Sequence, residues 1–176
     1  DSRGCEKLVN QLIEYDQRLY KDALTGVYNR RYFEEQIKKK NENAGVAVID
    51  MDDFKLCNDT LGHSAGDAAL RTMVKTVKHC IRKTDILIRY GGDEFILILQ
   101  NIKKENFFNK LVQIQSDIHA ANVPGFPKLQ LSVSIGGVIS SKETVEHAVM
   151  QADKLMYQAK EHKNMVVTED NASYVA

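Results

Sequence analysis

The sequence predicts an α/β (α+β) sandwich of ferredoxin-like type, in which a mixed, largely antiparallel central sheet is flanked by helices. Three observations carry this. Short apolar runs alternate along the chain with stretches of helical periodicity. The central two runs, residues 86–90 and 94–99, flank Gly91-Gly92, a hairpin signal that makes them antiparallel neighbours. A doubly wound parallel sheet has no place for that hairpin, so the sheet is mixed.

In chain order, residues 6–20 lack Gly and Pro and set Leu8, Leu12, Tyr15 and Leu19 on one stripe at coiled-coil spacing. A helix of about four turns is marginal alone, so this one reads as a connector. Residues 22–30 break the pattern at Gly26 and Asn29 and form an ordered turn, and a helix is expected over 30–41. Residues 45–50 form a buried strand ending in carboxylates. A polar loop follows, then Leu70, Met73, Val74, Val77 and Ile81 recur at helical spacing. Another helix is expected over 104–121, ending before the turn at Pro124-Gly125-Phe126-Pro127. Residues 129–139 alternate as a strand. Val145, Ala148, Val149, Ala152, Leu155, Met156 and Ala159 mark a last amphipathic helix, and 165–168 adds an edge strand. The organisation expected is a connector helix over 1–20, one folded domain over 21–170 and a tail over 171–176.

Of the 176 residues, 43% are apolar and 27% charged, enough for an ordinary core in one domain. The formal net charge of zero argues against a general nucleic-acid or membrane-surface binder. Cys5, Cys57 and Cys80 are odd in number and far apart, without a zinc or disulfide framework. With no signal peptide and no apolar run of spanning length, a cytoplasmic domain is expected. Any membrane anchor would lie outside this chain.

The chemistry concentrates in two carboxylate-rich tips. Asp50-Met51-Asp52 falls where a strand should end, and Gly91-Gly92-Asp93-Glu94 falls at the hairpin tip. Neighbouring strands would bring Asp50 and Asp93 or Glu94 to one edge of the sheet, as a hard divalent ion requires. Taken singly, each tip is also ordinary turn punctuation. Together they would repel each other unless a cation joined them.

Five motifs then carry a resemblance. Residues 89–95 (RYGGDEF) resemble the signature of the GGDEF family of diguanylate cyclases. Residues 22–30 (DALTGVYNR), 50–67 (DMDDFKLCNDTLGHSAGD), 132–136 (SVSIG) and 152–160 (ADKLMYQAK) resemble four further motifs of that family, in the same order. The resemblance implies a nucleotidyl-cyclase palm fold, with residues 21–170 as the catalytic domain. It implies condensation of two GTP into cyclic di-GMP, with Mg2+ (or Mn2+), two ions per site. Asp50, Asp93 and the Met51 carbonyl would be metal ligands. Glu94 would be a further ligand or the group that deprotonates the 3′-hydroxyl. Gly91 and Gly92 would let the backbone approach the nucleotide, and the turn of Asp53, Phe54 and Lys55 would offer N–H groups to phosphates.

Asn58 and Asp67 resemble the guanine readers. A carboxylate accepts from guanine N1–H and the 2-amino group, a donor pair that adenine lacks. Lys160 would meet the outer phosphates. The family's usual Gly-Arg-Asn after this lysine is replaced by a segment apparently one residue shorter, Glu161-His162-Lys163-Asn164, with Lys163 the nearest cation. Arg82 and Asp85 match an inhibitory site for cyclic di-GMP, although a surface salt bridge is the plain alternative. Asp22 and Arg30 would pair across the opening turn. The resemblance further implies a homodimer, a sensor domain N-terminal to this chain, and no nucleic-acid partner. A catalytically weak domain acting as a GTP or cyclic di-GMP receptor is the alternative.

Overall fold

The computed structural model describes residues 1–174. At its centre is β2 (Ala44–Met51), which pairs antiparallel with both β4 (Glu94–Gln100) and β5 (Val133–Ser140). Outward from β4 lie β3 (Ile86–Arg89), antiparallel to it, and the two-residue β1 (Tyr28–Asn29), parallel to β3. Outward from β5 lie β6 (Met165–Thr168), parallel, and β7 (Ala172–Tyr174), antiparallel to β6. The sheet is therefore mixed and largely antiparallel, in the order β1-β3-β4-β2-β5-β6-β7.

Helices cover both faces, which is why the central strands read as unbroken apolar runs. Ala47, Ile49, Phe95, Leu97 and Leu99 point to one side, under α4 (His63–Cys80) and α5 (Lys104–Ala120). Val46, Val48, Ile96 and Ile98 point to the other, under α6 (Val145–His162) and the short α2 (Arg30–Tyr32) with the turn that follows it. Gly136 on β5 sets the depth of α6. A Cβ there would lie 2.2 Å from both Ala152 O and Met156 N, so the helix backbone rests directly on the strand. α1 (Ser2–Tyr20) stands off the domain with no buried residue, its stripe of Leu8, Leu12 and Tyr15 about 60% exposed.

The structure departs from the sequence reading at several elements. The helix expected over 30–41 is α2 followed by a π-helical turn, Phe33–Ile37, closed by Lys38 N–H to Phe33 O at 3.0 Å. It stops because the carbonyls of Lys38 and Lys40 accept from Glu146 and Val145 at the start of α6, both at 2.9 Å. The strand expected over 129–139 begins at Val133, since Leu129 N–H turns back to Phe126 O at 3.0 Å. Part of the stretch read as a polar loop is α3 (Phe54–Leu61), whose Leu56 and Leu61 are exposed and give no burial pattern. β7 falls within the stretch assigned to a tail, whose residues 175–176 lie outside the described residues.

Candidate active site

The strand register brings the two acidic tips together. Asp50 near the end of β2 lies directly opposite Glu94 at the start of β4, and Met51 N–H donates to Asp93 O at 3.1 Å. α6 closes over this edge and delivers Lys160. Its ammonium lies 3.0 Å from Asp50 Oδ1 and 3.6 Å from Asp52 Oδ1, and it donates to Met51 O at 3.0 Å. Burial, opposed by Lys160 and reinforced by repulsion from Asp93, pushes the Asp50 carboxyl up to about 6. Burial and then repulsion from Asp153, Asp50 and Asp93 push Glu94 up to about 7.

Asp52, although part of the same tip, is committed elsewhere. It accepts from Ser134 Oγ at 2.6 Å, Ser132 Oγ at 2.5 Å and Asn164 N–H at 2.8 Å, with its side chain 1% exposed. It therefore ties β2 to β5 and to the shortened segment after α6. That segment is built rather than loose. Lys163 and Asn164 adopt positive φ (65° and 47°), the Asn164 carbonyl accepts from Gln115, and Lys163 Nζ meets Asp53 Oδ1 at 2.7 Å.

Among the described residues no group of three His, Cys, Asp or Glu side chains is arranged to hold a metal by itself. The donors nonetheless fit a magnesium-type ion that takes one or two carboxylates and completes its shell with phosphate and water. Asp50 Oδ1 is buried and accepts no aligned hydrogen bond, and the Met51 carbonyl lies beside it. Asp53, with φ 55°, precedes α3, whose first intrahelical bond is made by Cys57 N–H, leaving Phe54 and Lys55 N–H free of helical acceptors. Asn58 on α3 packs its amide against Gly66, the residue before Asp67 on α4, where the two helices meet at Gly62.

Neither Gly91 nor Gly92 has positive φ, so the two-residue hairpin turn expected from Gly-Gly does not form. The loop instead spans Tyr90 to Asp93, with Tyr90 and Gly91 N–H both donating to Glu94 O. A Cβ at Gly92 would meet nothing within 4 Å. The protein's own packing does not require a glycine there.

Asp22 pairs with Arg89, at 3.2 Å from each carboxylate oxygen, and not with Arg30 as expected. Arg30 instead lies over the Tyr90 ring, 4.5 Å from its centroid, and 3.8 Å from Glu34. Burial pushes the Asp22 carboxyl up, but hydrogen bonds from Thr25 and the Arg89 guanidinium outweigh it and hold it below its ordinary value. Arg89 also donates to Gly92 O at 2.7 Å and 3.1 Å, so one guanidinium joins the turn after α1 to the acidic hairpin. Sequence reasoning missed this link and the part of Asp153, which lies two helical turns before Lys160 on the same face. That spacing was a readable signal.

Arg82 and Asp85 are bonded to each other at 3.1 Å, before the start of β3 and at the opposite end of the hairpin from Glu94. Asp85, 3% exposed at its side chain, also accepts from the backbone N–H of Arg82 and Gln100. Arg82 and Asp85 both line a cavity of about 330 Å³, together with Lys21, Lys78 and Lys83 and the apolar Val27, Ile81 and Leu87. No helix among the described residues is long and apolar enough to cross a membrane.

The family model described as "Diguanylate cyclase, GGDEF domain" matches residues 19–165. The diguanylate cyclase DgcS of Shewanella oneidensis is 36% identical over 149 residues, covering 79% of this chain and 49% of that one. The probable diguanylate cyclase DgcC of Escherichia coli K12 is 29% identical over 163 residues, covering 85% and 44%. The chain thus spans about half the length of the curated relatives it matches. Among solved structures, the Pseudomonas aeruginosa diguanylate cyclase SiaD, in complex with its activator SiaC, superposes with TM-score 0.80 at 27% identity, over 95% of this chain and 68% of that one. The coiled coil and GGDEF domain of Caulobacter crescentus DgcB, in complex with c-di-GMP, matches with TM-score 0.83 at 23% identity over 95% and 94%, a likeness of fold.

Proposed function

Because this chain belongs to the GGDEF family of diguanylate cyclases, we propose that it condenses two GTP into cyclic di-GMP with release of pyrophosphate, acting as a two-fold dimer. The observation that carries the reading is the register setting Asp50 opposite Glu94, with Asp93 bonded to Met51 N–H. Two carboxylates of raised proton affinity at one sheet edge, with Asp50 Oδ1 buried and met within the protein only by the Lys160 ammonium, call for a cation that the protein supplies only in part.

Asp50, Asp93 and the Met51 carbonyl would hold the metal, Mg2+ (or Mn2+), two ions per site. When bound, the ions polarise the α-phosphate, ease deprotonation of the attacking 3′-hydroxyl and stabilise the leaving pyrophosphate. Glu94 takes up the 3′-hydroxyl proton or adds a ligand. The 3′-oxygen then bonds to the α-phosphorus of the second GTP as the bond to pyrophosphate breaks, and the reaction repeats in the reverse sense. Phe54 and Lys55 N–H after Asp53 bind phosphate oxygens, and Gly91 and Gly92 leave room for the nucleotide. Lys160 and Lys163 turn from Asp50 and Asp53 to the outer phosphates. Asn58 and Asp67 read the guanine.

Each domain carries one GTP, so two must face each other, and the exposed Leu8, Leu12 and Tyr15 stripe of α1 is the device that joins them. A sensor domain N-terminal to this chain would act through α1 and the Asp22–Arg89–Gly92 link. Arg82 and Asp85 bind cyclic di-GMP as a feedback ligand. The reading assigns residues 1–20 to the connector and 21–170 to the catalytic domain, whose sheet β7 extends, in a cytoplasmic setting.

A receptor that binds GTP or cyclic di-GMP without turnover is the second reading. It is favoured by Lys160, whose ammonium sits on Asp50 and Met51 O where a cation would go. Pyrophosphate release from GTP and Mg2+ separates the two. Wild type should release it with a rate per protomer that rises with protein concentration, and Asp93→Ala should not. Nucleotide binding without release, even with a dimerising coiled coil fused to α1, would establish the receptor.

A further inference from the structure

Gly66 is the fourth residue of α4 and is buried. Its φ is not positive, so the helix needs no glycine for conformation, and glycine is a poorer helix former than alanine. The reason for its presence lies across the gap to α3. A Cβ on Gly66 would fall 1.9 Å from Asn58 Oδ1, 2.9 Å from Cγ and 3.3 Å from Nδ2. The whole carboxamide of Asn58 thus lies in the space that the missing side chain leaves open. Gly66 also directly precedes Asp67, so the same glycine seats the Asn58 amide against the turn of helix that carries the carboxylate. Among the described residues neither the Asn58 side chain nor the Asp67 carboxylate makes a hydrogen bond or ion pair within the protein.

We infer that Gly66 is a specificity-positioning residue, whose lack of a side chain seats the Asn58 carboxamide beside Asp67 for recognition of a purine edge. The inference rests on the guanine reading of Asn58 and Asp67 given above. The clashing atoms are the far end of a flexible side chain rather than backbone. A methyl at position 66 therefore displaces the amide by rotation, and α4 keeps its course.

The test uses binding of the α,β-methylene analogues of GTP and ATP, which cannot be turned over at that bond, to wild type, Gly66→Ala, Asn58→Ala and the double variant. Gly66→Ala should retain the wild-type circular dichroism spectrum, with a melting midpoint equal to or above it. It should bind the GTP analogue about tenfold more weakly, the scale of one or two lost hydrogen bonds, and the ATP analogue as before. In the Asn58→Ala background the same change should have no further effect. Gly66→Ala binding the GTP analogue like wild type, while Asn58→Ala weakens it, would overturn the inference and leave the guanine site standing. So would a weakening shared by both analogues, an effect that persists without Asn58, or an unfolded Gly66→Ala. Undiminished binding by Asn58→Ala would remove the guanine reading and the inference with it.

Discussion

Replacing Lys160 with Met keeps the length and volume of the side chain and removes its charge from the acidic edge. In wild type that ammonium is the cation 3.0 Å from Asp50 Oδ1 and 3.6 Å from Asp52 Oδ1, and the donor to Met51 O at 3.0 Å. Asp52 retains three other hydrogen bonds, so the loss falls on Asp50. Breaking a fully buried charge pair costs about 3–5 kcal/mol. Lys160 is 31% exposed at its side chain and Asp50 16%, so solvent screening brings the expected loss to about 2 kcal/mol. For a chain of this size that lowers the melting midpoint by about 4–8 °C in EDTA. On the proposed function, a divalent ion held by Asp50 and Met51 O would replace the missing charge. Saturating Mn2+ should therefore raise the midpoint of Lys160→Met by more than it raises that of wild type. Differential scanning fluorimetry in EDTA and across a Mn2+ titration measures both quantities. An unchanged midpoint in EDTA, or a smaller metal-induced rise in the variant, would refute the claim that the lysine stands in for the cation.

Other predictions follow from the same geometry. Asp50 and Glu94 titrate near 6 and 7 in the folded chain, against ordinary values of 3.8 and 4.5. The native state thus holds more protons than the unfolded one between about pH 4 and pH 7. The metal-free domain should lose stability as pH rises through that window, and thermal melts at pH 5 and pH 8 in EDTA check the sign. On the proposed feedback role, Arg82→Ala should abolish inhibition by cyclic di-GMP and cost about 1 kcal/mol, because the guanidinium is largely exposed and the buried Asp85 carboxylate keeps two backbone N–H donors. Asp85→Ala should also destabilise the fold by about 1–3 kcal/mol, since it leaves the Gln100 N–H without its acceptor. Inhibition curves and urea melts separate the two. Gly136→Ala should cost about 3 kcal/mol or more, because its methyl would meet backbone of α6 rather than a yielding side chain. Its urea midpoint reads this directly.

The layout of the sheet and the meeting of the two acidic tips were legible because they depend on strand periodicity and a hairpin, both local signals. Asp50 opposite Glu94 follows once β2 and β4 are neighbours. The partners of the charged residues were not legible. Arg89 holds Asp22 across 67 positions of sequence and Lys160 meets Asp50 across 110, and such pairings depend on how the turn after α1 and the helix α6 pack rather than on nearby residues. α3 escaped notice because Leu56 and Leu61 face solvent, and the π-helical turn because its end is set by hydrogen bonds to the start of α6. Gly91-Gly92 signals a tight hairpin turn in the sequence, whereas the backbone there needs no glycine for its conformation and the space beside it is open.

The most direct test of the central claim is the identity of the product made from GTP and Mg2+ at high protein concentration, resolved by chromatography and mass. Cyclic di-GMP from the wild type, with two pyrophosphates for each product and none from Asp93→Ala, is the predicted result. A different cyclic nucleotide, or unchanged GTP even when a fused coiled coil enforces the dimer, would contradict it.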